Sequence, residues 1–83
     1  MNPGEEKMPL AYVLVNTEIG TDNIVLKEIT KLNSVVEAHQ VYGVYDIVVK
    51  VYTDSMKHLK EVVTWNIRKI ANVKSTFTLI GMD

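Results

Sequence analysis

The sequence predicts an α+β sandwich, a four-stranded antiparallel sheet with two helices on one face, built in the order β-α-β-β-α-β. Three observations carry that expectation. Runs rich in β-branched and aromatic residues stand at Leu10–Thr17, 35–42, 44–52 and Val73–Ile80. Two stretches with apolar residues three and four apart lie between the first and second of these runs and between the third and fourth. Gly20, Asn33-Ser34, Gly43 and Asp54-Ser55 punctuate the joins. Right-handed crossovers close this order into a sandwich of the ferredoxin-like kind.

Each element has its own warrant. Residues 1–8 combine proline, glycine and charge, so they read as a flexible tail, and Met8-Pro9 is a candidate alternative start; residues 9–83 form one domain. Strand one, LAYVLVNT, ends at Gly20. Thr21 or Asp22 can cap helix one over 22–32, where Val25, Leu26, Ile29 and Leu32 form the apolar stripe and Lys27, Glu28 and Lys31 stand outside. VVEAHQVY and VYDIVVKVY form a hairpin with Gly43 in a tight connection. Asp54 or Ser55 caps helix two, whose stripe is Met56, Leu59, Val63, Ile67 and Ile70. The last strand sets Lys74, Thr76 and Thr78 against Val73, Ser75, Phe77 and Leu79.

Alternation also bears on association. In strand one Ala11, Val13 and Val15 oppose Leu10, Tyr12 and Leu14; in strand three Tyr45, Ile47, Val49 and Val51 oppose Val44, Asp46, Val48, Lys50 and Tyr52. Both faces are apolar, yet the helices cover only one, so the open face is expected to pack on a second copy about a two-fold axis. At 83 residues a monomer buries only about 60–65% of its unfolded surface, and association would add to its stability.

Composition excludes several functions. Lys+Arg 9 against Asp+Glu 10 leaves no cationic excess for phosphates, so no direct nucleic-acid partner is expected. With no cysteine, thiol catalysis, disulfides and Cys-based zinc sites drop out, which fits a cytoplasmic chain. No apolar run approaches a membrane span, and no membrane partner is expected. Glu37 and His39 share a strand face but are too few for a metal site, and His58 lies on a helix whose packing against them the sequence does not fix. No nucleophile has a positioned base and no glycine-rich phosphate loop is present, so the chain reads as a non-enzyme without a cofactor.

The residue most in need of a reason is Asp46, a carboxylate between the Tyr42-Gly43 turn and the apolar run 47–51. It reads either as a turn carboxylate bonded to local amides or as a group that meets a ligand's cation. The segments AYVLVNTE (11–18), VEAHQVYGVYDIVVKV (36–51), DSMKHL (54–59) and NVKSTFTLI (72–80) carry a resemblance to a known family. The chain resembles the ligand-sensing RAM domain of the Lrp/AsnC transcriptional regulators, in its stand-alone form without a helix-turn-helix half. The most specific piece is Gly43-x-Tyr45-Asp46 followed by apolar residues.

The resemblance implies dimers that pack sheet to sheet and assemble into octamers or similar rings, with small effectors, typically amino acids, bound between dimers. A full-length Lrp/AsnC regulator becomes a candidate partner. It also implies a ligand-binding set: Gly43, Tyr45 and Asp46 at the turn and strand entrance, Asp54 and Met56 at the strand-to-helix connection, and Thr76, Thr78 and Leu79 on the closing strand. Each has a plainer reading. Gly43 serves a turn, Tyr45 packs on the sheet, Asp54 caps a helix, Met56 belongs to the core, and the threonines are ordinary strand formers. Trp65, beside the main stripe, is expected to be partly buried. Two other functional readings stand beside the sensor: a small dimeric monooxygenase-type enzyme with a polar pocket inside its sandwich, and an oligomerisation module with no effector.

Overall fold

The computed structural model describes residues 9–81 of the chain. The tail expectation falls on residues 1–8 and lies outside them. The elements are β1 (Leu10–Thr17), α1 (Asp22–Thr30), β2 (Val35–Gln40), β3 (Ile47–Tyr52), α2 (Met56–Glu61) running on into a π-helical segment (Val62–Ile67), and β4 (Val73–Ile80). The strands form one antiparallel sheet in the order β2-β3-β1-β4. The ferredoxin-like α+β fold is thereby established.

Alternation separates the faces. Ala11, Val13 and Val15 of β1 pair with Val51, Val49 and Ile47 of β3, and all six are fully buried. Val25 and Ile29 of α1 with Leu59, Val62 and Ile67 of the second helical run complete the core. Burying one such side chain contributes about 1.5–3 kcal/mol. Aliphatic groups therefore fill the space between sheet and helices, where a sandwich enzyme would hold its polar pocket.

The second helical run departs from a simple stripe. The Arg68 N–H bonds the Val63 carbonyl five residues back, at 2.9 Å, the signature of a π-turn. The wider turn lets Val62 and Ile67, five apart, both face the core, while Val63 is only half-buried. Two sequence expectations give way. Trp65 points outward at 64% exposure, with the Lys69 ammonium 5.1 Å from its ring centroid. Met56 is 44% exposed rather than core. Of the two cap candidates for this helix Ser55 is the one used: its hydroxyl accepts from the His58 N–H at 3.0 Å, while Asp54 sits 3.0 Å from the His58 ring nitrogen Nδ1 instead of capping. At α1 neither candidate caps through its side chain. Thr21 turns back to donate to the Glu18 carbonyl, and Asp22 accepts from Gln40 of β2.

The β2–β3 connection is longer than a tight hairpin. Residues 41–46 span it, closed by a bond from the Val41 N–H to the Asp46 carbonyl at 2.9 Å. Gly43 at its tip holds φ +134°, a conformation that strains any residue with a Cβ. The irregular backbone breaks alternation at Tyr45, whose ring stacks on Phe77 with centroids 6.5 Å apart. Phe77 pairs with Leu14 on the open face, so Tyr45 joins that face and not the one carrying Ile47.

On β4 the faces are the reverse of what apolarity suggests. Thr76 and Thr78 pair with the buried Val15 and Val13 and lie on the helix side, whereas Phe77 and Leu79 stand on the open face with Tyr12. Tyr12, Leu14, Val48, Tyr52, Phe77 and Leu79 thus make a broad uncovered apolar face, with Glu37, His39 and Lys50 toward its β2 side.

Candidate functional site

Asp46 sits where three strands end. Its N–H bonds the Val15 carbonyl at 2.9 Å, which carries the β1–β3 pairing one residue past β3. Its Oδ2 accepts from the Thr17 N–H at 2.8 Å and the Thr17 hydroxyl at 3.3 Å. The carboxylate therefore clamps the end of β1, a longer-range bond than the local turn contact weighed from sequence. Both contacts fall on one oxygen. Oδ1 takes no bond from any described residue, and a carboxylate oxygen has capacity for a further donor.

Around Asp46 lies a polar cleft of about 480 Å³, lined by Asn16, Thr17, Glu18, Ile19, Gly20, Asp22, Asp46, Lys74 and Ser75. A bulge builds its far wall. Asn16 pairs with Ser75 but Thr17 pairs with Val73, so Lys74 is skipped in the ladder and turned toward the cleft. Asn16 Nδ2 reaches Ser75 Oγ at 3.4 Å across the same end. Asp22 is fixed by α1 and bonded from Gln40 Nε2 at 2.9 Å. Three carboxylates, Glu18, Asp22 and Asp46, and one ammonium, Lys74, thus line one cleft, offering acceptors for a cationic group and a donor for an anionic one.

The expected site residues do not converge in one chain. Asp46 lines the polar cleft. Gly43 stands out at the loop tip, with nothing within 4 Å of where its Cβ would be. Tyr45 and Leu79 are on the open sheet face, and Thr76 is half-buried beneath the helices. Met56 and Thr78 line a separate apolar groove of about 260 Å³ with Leu59, Lys60, Val63, Thr64 and Ile80. Asp54 is exposed beside His58. The six-residue β3 separates the Asp46 end from the Met56 end, about 20 Å of strand.

Sequence reasoning missed Asn16, Lys74 and Ser75, and took Asp22 only as a cap. A signal for Lys74 was present: it shares alternation with Thr76 and Thr78, so a charged residue stood where a half-covered face continued. No group of three or more metal-ligating side chains occurs among the described residues. Nor is any helix among them long and apolar enough to cross a membrane.

Comparisons with known proteins agree with this frame. The family described as the Lrp/AsnC ligand binding domain matches residues 10–83. Among solved structures, FFRP-DM1 is similar at 37% identity and TM-score 0.87, over 90% of this chain and 100% of that one. The protein TTHA0845 from Thermus thermophilus is similar at 30% identity and TM-score 0.87, over 92% and 95%. AsnC of E. coli is similar at 26% identity and TM-score 0.86, and there the match covers 90% of this chain but 51% of that one. No curated protein matches. The family match over nearly the whole chain, on a fold shared with these structures, shows that the chain belongs to the Lrp/AsnC ligand-binding domain family, a family of ligand-sensing regulatory domains.

Proposed function

We propose that this domain senses an amino acid, bound where the Asp46 cleft of one subunit meets another, and that binding shifts the assembly of the chain or of a full-length Lrp/AsnC regulator. The observation that carries the reading is the charged cleft, in which the carboxylates of Glu18, Asp22 and Asp46 line the same space as the ammonium of Lys74. A free amino acid presents an ammonium and a carboxylate a few bonds apart. Asp46 Oδ1 accepts from the ammonium, Lys74 meets the carboxylate, and Thr78 and Met56 of a neighbour supply the side-chain end. Gly43 shapes the turn, and Tyr45 and Leu79 act through the open face, by which two chains pair before a ring of the octameric kind forms. Asp54 and Thr76 contribute by holding the strand-to-helix connection and the closing strand. The effect is a change of populations and requires no bond making.

Calorimetric titration with a panel of amino acids tests this. At least one should bind more tightly than millimolar, and Lys74→Gln should weaken it about ten- to a hundred-fold, the loss expected for one charge-assisted bond. A second reading, an effector-free oligomerisation module, draws on the Asp46–Thr17 clamp, since that contact alone gives the carboxylate a structural purpose. Absence of binding by every amino acid in the panel would select it.

A further inference from the structure

Charge is unevenly placed along the chain. Lys57, Lys60, Arg68 and Lys69, four of its nine Lys and Arg residues, fall on the second helical run with only one acid, Glu61. That run is net positive and the remainder of the chain net negative. Leu59, Val62 and Ile67 turn its inner side to the core. On the outer side Lys57, Glu61, Trp65 and Lys69, four apart, make one exposed row, and Lys60, Thr64 and Arg68 make the row beside it. None of the four cations pairs with a carboxylate of the described residues. Among them stands Trp65, 64% exposed, with the Lys69 ammonium 5.1 Å from its ring centroid. Tryptophan is highly buried on average. Ringed by cations, it makes a surface that attracts anions and offers an apolar ring to cover.

We propose that this outer helical face docks a short acidic segment of a partner protein, with Trp65 as the anchor that an apolar side chain of the segment covers. The unpaired cations select the sign of the partner. The length of the rows selects its size: residues 57 to 69 run about 15–18 Å along the helix, room for about five residues of extended chain. A nucleic-acid strand would meet the same cations, but Glu61 stands within the outward row and acids dominate beyond the stripe. A long phosphate backbone is therefore repelled where a short acidic segment has already ended. Tryptophan and arginine are also the side chains that most often dominate protein–protein contacts. The face lies on the helix side of the sandwich, opposite the uncovered sheet face, and shares no residue with the Asp46 cleft. Docking there is independent of the proposed effector.

Trp65 is the one tryptophan of the chain, so its emission reports the contact directly. The probe is the pentapeptide Asp-Glu-Leu-Glu-Asp with blocked ends, titrated into the full chain at low salt. Emission should move to shorter wavelength and saturate as the ring is covered, and raising the salt to about 0.5 M should weaken binding, because exposed charges are then screened. Arg68→Glu should weaken it about three- to tenfold. Lys27→Glu, the same change of charge at an exposed position of α1, should bind like the wild type. A peptide with alanine in place of the central leucine should bind several-fold more weakly, since it leaves the ring uncovered. No change in Trp65 emission would overturn the proposal, as would equal losses in Arg68→Glu and Lys27→Glu, which mark general charge attraction. Tighter binding of an oligothymidylate of the same charge, or of phosphatidylserine vesicles, would overturn it in favour of a nucleic acid or a membrane surface.

Discussion

Replacing Asp46 by alanine removes two hydrogen bonds at once, the 2.8 Å bond from the Thr17 N–H and the 3.3 Å bond from its hydroxyl. Thr17 is buried and Asp46 half-buried, so the abandoned N–H regains water only in part. Bonds to a charged acceptor contribute about 1.5–3 kcal/mol, and partial exposure places this one near the lower end, at about 1.5–2 kcal/mol. For a domain of this size each kcal/mol moves the midpoint by about 4–8 °C, so Asp46→Ala should melt about 6–16 °C below the wild type. Asp46→Asn keeps a carbonyl acceptor and should lose about half as much. Thr17→Val removes only the longer bond and should cost under about 1 kcal/mol. Calorimetry at fixed protein concentration, which holds any assembly contribution constant, reads all three. An Asp46→Ala variant within about 0.5 kcal/mol of the wild type would refute the clamp.

Other consequences are as concrete. Ile47→Ala, at a fully buried position between β1 and the helices, should cost about 2–5 kcal/mol in urea unfolding, and a smaller loss would mean that the core is looser than described. If the open sheet face pairs two copies as proposed, Leu14→Lys on that face should lower the mass seen in sedimentation while leaving the circular dichroism intact; an unchanged mass would remove that face from any interface. Glu37 is held below the usual carboxylate range, first by the hydrogen bond with His39 and then by the charges of His39 and Lys50. Because its folded value is depressed, its contribution is present above the ordinary carboxylate range and is lost as pH falls through the folded value. An NMR titration should show Glu37 ionising at lower pH than an unperturbed glutamate, and His39→Ala should move it back up.

The fold was legible because β-branched alternation and three-four spacing are set by the same burial that holds the sheet to the helices. Val13, Val15, Ile47 and Val49 announce one face, and Val25 with Ile29 the helix that covers it. What escaped depends on departures from ideal periods. The π-turn adds a residue to one turn, so Val62 replaces Val63 in the core and Trp65 faces water. The six-residue connection lets Tyr45 cross to the open face. On β4 an apolar pair, Phe77 and Leu79, lies on the uncovered face, and apolarity alone does not tell an uncovered apolar face from a core face. Asp46 was found as a residue out of place and Lys74 left a trace in the alternation of β4, but the pairing of Asp46 with Thr17 could not be read, since it depends on which strand ends meet.

The most direct test of the sensing site is a crystal structure grown with the tightest-binding amino acid of the titration panel. The expected result is ordered density for the ligand, its ammonium on Asp46 and its carboxylate near Lys74, with Thr78 or Met56 of a neighbouring chain against its side chain. Density for the amino acid elsewhere, or a cleft holding only water at saturating ligand, would contradict it.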